Sequence, residues 1–153
     1  MASIDANLQE VRRRIAQACD SAARSAQSVT LLAVTKTLGA TEVRAAMAAG
    51  QCDFGENYVQ EALAKIAELA PDRKRIHWHL SGPRQSNKTR VVAENFDWVH
   101  SVDRLKIAQR LAEQRPEGLP PLQLCLQVNI SGEASKSGLL PSEVPAVAAA
   151  VAT

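Results

Sequence analysis

The sequence is poor in cysteine, in net charge and in long apolar runs. Cys19, Cys52 and Cys125 stand far apart, and none belongs to a Cys-x-x-Cys pair. That pattern argues against a disulfide frame or a zinc site and reads as reduced thiols in a cytoplasmic protein. A formal net charge of +2, with the basic residues spread along the chain, gives no footprint for nucleic acid or a membrane surface. No stretch approaches the roughly 18 apolar residues of a membrane span. Arg12, Arg13 and Arg14 lie inside an amphipathic pattern with no hydrophobic signal core. No Ser-His-Asp, Cys-His or glycine-rich dinucleotide pattern is evident.

What is there is ordinary for a globular domain: 153 residues, 46% hydrophobic and 22% charged, which fits one domain over 1–153. Ile4, Leu8, Val11, Ile15, Cys19 and Ala22 repeat at helical spacing, with Ser3 as N-cap. A buried strand is expected over Val29–Thr35, ending at Lys36, and then a helix capped by Thr41 and stopped by Gly50. The pattern repeats. Cys52–Phe54 reads as a strand broken by Gly55, and Val59, Leu63, Ile66 and Leu69 mark a helix face. Ile76–Leu80 is a third strand, followed by a Gly82-Pro83 turn and a helix through Val91 and Val92. Trp98–Val102 is a fourth, with Leu105, Ala108 and Leu111 on the helix behind it. Leu122–Ile130 is the fifth, and a last helix begins near Ser142.

Strands alternating with helices imply right-handed β-α units and a parallel sheet. An open doubly wound sheet and a (β/α)8 TIM-type barrel both satisfy this. A strand buried between two helical layers should be apolar on both faces. The fifth strand alternates instead, with Leu122, Leu124 and Leu126 on one face and Gln123, Cys125, Gln127 and Asn129 on the other. His77 and His79 give the third strand a polar face as well. Such faces suit a barrel lumen. A whole barrel takes about 250 residues, so the expectation is an incomplete (β/α)8 barrel of about five parallel strands with an extra N-terminal helix.

Sites in either architecture form beyond the carboxyl ends of the strands. Lys36 stands at such an end after an apolar strand. A partly desolvated lysine there has its neutral form favoured, as condensation with an aldehyde requires; the alternative is a lysine reaching solvent. The run Gly82-Pro83-Arg84-Gln85-Ser86-Asn87-Lys88 enters a helix and could bind a phosphate or simply cap the helix. His77 and His79 have the spacing of a metal pair, yet only His100 remains as a further histidine ligand. A hydrogen-bonded lumen residue is the simpler reading of His79.

The segments LLAVTK (Leu31 to Lys36), FGENYVQE (Phe54 to Glu61), WHLSGPRQSNK (Trp78 to Lys88), VHSVDR (Val99 to Arg104) and QVNISGEASKSG (Gln127 to Gly138) resemble the pyridoxal phosphate homeostasis proteins. The motifs fall in order across nearly the whole chain. The resemblance implies a single alanine-racemase-like barrel of fold-type III that binds pyridoxal 5'-phosphate, without catalytic turnover, and carries or buffers the cofactor. By position, Lys36 matches the lysine that holds the cofactor as a Schiff base. Asn57 matches the asparagine beside it, His79 a pocket histidine, and Lys136 a second lysine that could hold the cofactor transiently. The partners so implied are pyridoxal phosphate itself and apoenzymes that depend on it.

Two positions depart from the pattern. The relatives usually carry an aliphatic residue where Ser81 stands, so a polar Ser81 is expected to loosen packing under the pocket, and they often carry leucine at Arg84. The family also binds the phosphate and pyridine nitrogen from its last strands, which this chain does not include, so the resemblance implies the covalent anchor without the main phosphate grip. The other function the fold offers is a fold-type III amino-acid racemase or decarboxylase. Racemases of that type take a tyrosine from a second domain, whereas the only tyrosine here is Tyr58, inside the FGENY motif. A metal-dependent hydrolase on His77 and His79 is the remaining alternative.

Overall fold

A computed structural model describes residues 2–83 and 86–153. Helix α1 (Ile4–Ser21) comes first, its amino end closed by the Ser3 side chain, which accepts from Ala6 N–H. Five strands follow: β1 (Ala33–Val34), β2 (Asp53–Glu56), β3 (His77–Leu80), β4 (Trp98–Val102) and β5 (Gln123–Leu126). Between them run α2 (Ala40–Ala48), α3 (Val59–Glu68), α4 (Thr89–Asn95) and α5 (Leu105–Gln114), and α6 (Val144–Ala152) closes the chain. The strands form one sheet in the order β1-β2-β3-β4-β5, and every pairing is parallel. A doubly wound sheet reverses its strand order. Sequential order is that of a (β/α)8 barrel, here as an arc of five strands.

The core lies between the strands and their helices, where β2, β3 and β4 turn Phe54, Trp78, Leu80, Val99 and Val102 outward. Phe54, Trp78, Leu80 and Val99 are fully buried, together with Val43, Ala62, Val92, Phe96 and Leu111. Apart from the small Ala62, burial of each of these side chains is worth about 1.5–3 kcal/mol. Leu124 and Leu126 of β5, with Leu122 just before it, pack against the same cluster, as the alternation of that strand requires. The opposite face of the arc carries Leu32, His79, Trp98 and His100, which line an open cavity with Thr30, Asp53 and His77.

Several boundaries differ from the sequence reading. The expected buried strand over Val29–Thr35 forms ladder pairs only at Ala33 and Val34, and Val34 is half exposed. As an edge strand it has β2 on one side alone. Gly55 does not break β2 but lies inside it, paired with Val34 and His79. Its missing side chain is what the fold uses, since a β-carbon there would stand 3.3 Å from Leu32. Helix α2 starts one residue before Thr41 and is capped at Gly39, whose N–H donates to Glu42 Oε2 at 3.0 Å. Strand β5 stops at Leu126 because β4 ends at Val102, its partner there. Beyond it Val128 bridges to Leu139, and Ile130 is 79% exposed instead of continuing the strand. The helix expected near Ser142 begins with a 3-10 turn over Pro141–Glu143.

Candidate functional site

The carboxyl end of β1 turns sharply. Leu38 N–H donates to the Thr35 carbonyl at 3.0 Å, which closes a four-residue turn with Lys36 and Thr37 at its centre. Thr37 holds φ +64°. Lys36 is exposed, and no hydrogen bond or ion pair engages its ammonium among the described residues. The register Val34↔Gly55 and Gly55↔His79, carried two residues further, sets Lys36, Asn57 and Ser81 at one level across β1, β2 and β3.

Asn57 is half-buried at that level, and its Oδ1 accepts from the Ser81 hydroxyl at 2.8 Å. Ser81 also takes its place in the ladder, donating its N–H to the Glu56 carbonyl at 2.9 Å. The expectation that Ser81 loosens this layer is therefore corrected: its hydroxyl orients the Asn57 amide. Gly82 is buried directly against the Asn57 backbone. Arg84 and Gln85, and with them most of the candidate phosphate stretch, lie outside the described residues.

His79 stands one level lower and is bound downward. Its Nε2 is 2.9 Å from Asp53 Oδ1, its Nδ1 is 2.9 Å from His100 Nε2, and its ring stacks on Trp98 with centroids 5.3 Å apart. An ionised carboxylate only accepts, so Nε2 of His79 carries a proton toward Asp53. His77 Nδ1 reaches the same Asp53 oxygen at 3.2 Å. Burial, and then the positive field of His79, hold the His100 imidazole below the usual histidine range. Among the described residues, no group of three histidine, cysteine or acidic side chains is arranged for a metal ion.

Behind the Lys36 turn sits a polar network that the sequence reading missed. Glu56 is fully buried, and its Oε1 accepts from the Thr35 hydroxyl at 2.7 Å and from Lys65 Nζ at 2.5 Å. Lys65 Nζ also donates to the Thr35 carbonyl at 2.8 Å and lies 3.5 Å from Glu61 Oε1. A lysine in the middle of an amphipathic helix gives no sign of being buried. The one available hint was that Lys65 follows Glu61 at i,i+4.

No hydrogen bond joins Lys36 to Asn57, His79 or Asn129. Asn129 serves its own loop: its Nδ2 donates to the Glu133 carbonyl at 2.9 Å and its Oδ1 accepts from Gly132 N–H at 3.1 Å. Expected on the polar face of the fifth strand, Asn129 lies beyond it, because β5 ends at Leu126. Lys136 is exposed and lines a separate polar hollow with Asp103, Arg104 and Glu143.

Comparison with known proteins agrees with this architecture. Residues 2–153 match the model of the alanine racemase N-terminal domain. The chain belongs to that family. It is 62% identical over 151 residues to a pyridoxal phosphate homeostasis protein of Pseudomonas aeruginosa and 50% identical over 153 residues to one of Escherichia coli. Each alignment takes in 99% of this chain and 65% of the relative, so the chain spans just under two-thirds of the length of these family members. Among solved structures, an unknown protein from Bifidobacterium adolescentis superposes with a TM-score of 0.87 at 36% identity, covering 98% of this chain and 64% of that one. PipY of Synechococcus elongatus with pyridoxal phosphate bound superposes with a TM-score of 0.70 at 44% identity, over 86% of this chain and 61% of PipY.

Proposed function

We propose that this chain binds pyridoxal 5'-phosphate and serves cofactor homeostasis, as a carrier or regulator without catalytic turnover. The observation that carries the reading is Lys36, a lysine at a strand end whose ammonium is free while the residues on both sides of it are tied down. The homeostasis relatives and the pyridoxal-phosphate-bound PipY support the choice of ligand.

The residues fit that group. Pyridoxal phosphate supplies an aldehyde, which condenses with a primary amine, and Lys36 offers one with no competing ion pair among the described residues. Asn57, oriented by Ser81, presents its amide at the same level and can hydrogen-bond a polar substituent on a ring held there. His79, fixed by Asp53, His100 and Trp98, forms a rigid floor one level below. These three, Lys36, Asn57 and His79, are the cofactor-binding residues we assign.

The racemase or decarboxylase reading requires a group that moves a proton opposite the lysine. Asn57 and Ser81, the neighbours of Lys36 at its level, do not titrate near neutral pH. Tyr58 is exposed at the start of α3. We therefore read the site as one that holds the cofactor and releases it to apoenzymes. We further take residues 1–153 as one domain, built on the single core cluster, and place the protein in the cytoplasm. The three free cysteines support that placement, and no helix among the described residues is long and apolar enough to cross a membrane.

Titration with pyridoxal phosphate, followed by visible absorbance, tests the binding. The wild-type chain should develop a saturable band that borohydride abolishes, and Lys36→Ala should not. A saturable band of equal size in Lys36→Ala would refute the assignment of the anchor.

A further inference from the structure

We propose that Glu61 is a positioning residue for Lys36, acting through a strained turn; the inference rests on Lys36 being the cofactor anchor. Thr37, immediately after Lys36, sits at φ +64°, a region that β-branched residues rarely occupy. Such a conformation persists only where its surroundings over-determine it. Here they do. Thr37 N–H donates to Glu61 Oε1, and the Thr37 hydroxyl donates to the Lys36 carbonyl at 2.6 Å.

The other side of Lys36 is held by the same elements. The Thr35 carbonyl accepts from Leu38 N–H at 3.0 Å and from Lys65 Nζ at 2.8 Å, while its hydroxyl donates to Glu56 at 2.7 Å. Lys65 in turn lies between Glu56 and Glu61, at 2.5 and 3.5 Å. The backbone on both flanks of Lys36 is thus clamped from β2 and α3, and the direction of its Cα–Cβ bond is set. Its ammonium takes no part in the clamp. Glu56 and Lys65 are buried and would be needed for folding in any event. Glu61 is different: its side chain is one-third exposed and lies outside the apolar core cluster. Its contact with Thr37 therefore serves the turn. Without that acceptor Thr37 relaxes to negative φ, and the lysine before it swings away from the level of Asn57 and Ser81.

The test compares Glu61→Ala, Glu61→Gln and the double variant Glu61→Ala/Thr37→Gly with wild type. Pyridoxal phosphate is added, and samples are quenched with borohydride at successive times. Condensation of the lysine amine with the aldehyde expels one water, and hydride then adds to the C=N carbon, leaving a stable secondary amine that mass spectrometry can place. Glu61→Ala should slow the reaction at Lys36 by about tenfold, the worth of roughly one strained residue. The rates at exposed Lys74 and Lys106 and the urea midpoint should change little. Glu61→Gln should stay near the wild-type rate, because its amide oxygen still accepts from Thr37. Glycine takes positive φ freely, so the double variant should recover most of the loss.

Amide exchange gives a readout without cofactor: Thr37 N–H should exchange faster in Glu61→Ala while Phe54 and Trp78 keep their protection. A wild-type rate at Lys36 in Glu61→Ala overturns the proposal. So does a slowing that Thr37→Gly fails to relieve and that follows a loss of global stability, since Glu61 would then be merely structural. A wild-type chain that never reacts at Lys36 sinks the cofactor reading, and this role with it; faster Thr37 exchange in Glu61→Ala would show the turn mechanism to be sound even so.

Discussion

Gly82 lies so close to Asn57 that a β-carbon on it would stand 2.5 Å from the Asn57 carbonyl oxygen and 2.7 Å from its Cα. Both neighbours are backbone atoms, so neither can move aside without displacing the end of β2. The loop after β3 thereby fixes the height of Asn57 beside Lys36.

Gly82→Ala should consequently cost about 1–3 kcal/mol, the usual range for overpacking. It should also reduce condensation at Lys36 by shifting Asn57 and Ser81. Gly118→Ala is the control, because a β-carbon there meets nothing within 4 Å. Urea denaturation of both variants decides the point. Equal midpoints would show that the contact between Gly82 and Asn57 relaxes at no cost.

The parallel, sequential sheet was legible because its signal is local. Short apolar runs alternate with helix-period runs, and the polar alternation on β3 and β5 separates a lumen from a second helical layer. The site was half legible. Lys36 could be placed because a strand end is itself a sequence feature, and Asn57 through the resemblance of the FGENYVQE segment. Ser81 was misread, because its value depends on Asn57, which stands across the ladder 24 residues earlier. Gly55 looked like a strand breaker for the same reason: the Leu32 and Val34 side chains that occupy its space belong to another strand. The pairing of Glu56 with Lys65 was invisible too. A helical period says which face a residue occupies but not what a neighbouring strand offers that face.

That buried pair should behave asymmetrically. Glu56→Ala leaves the Lys65 ammonium only the more distant Glu61 carboxylate, 3.5 Å away, in a place where its side chain is only 4% exposed. The loss should be about 3–5 kcal/mol. Replacing both, as Glu56→Leu/Lys65→Met, should be less damaging than Glu56→Ala alone, since no buried charge is left uncompensated. A double-mutant cycle by urea denaturation measures the coupling, and additive losses would contradict the pairing.

The lumen cluster should make stability depend on pH. His100 titrates below the usual histidine value of 6.5 in the folded chain, chiefly through burial and then through His79. The unfolded chain therefore binds the proton more readily, and stability rises with pH across this window. It is fully present above about pH 6.5, the ordinary histidine value, and declines as the pH falls toward the lowered folded value. His100→Asn should flatten that part of the profile. The check is the urea midpoint between pH 7.5 and 5.5, with Asp53, His77 and His79 left intact. A variant with the wild-type slope would remove His100 from the account.

The most direct test of the central claim is a lysine map. The chain is mixed with pyridoxal phosphate, reduced with borohydride, digested, and its lysine peptides are quantified by mass spectrometry. The account predicts one dominant adduct on the peptide carrying Lys36, its loss in Lys36→Ala, and little change in Lys136→Ala. Lys65 should stay unmodified, held by Glu56. Labelling spread evenly over Lys36, Lys74, Lys106 and Lys136 would contradict the claim, because Lys36 would then react no differently from any exposed amine.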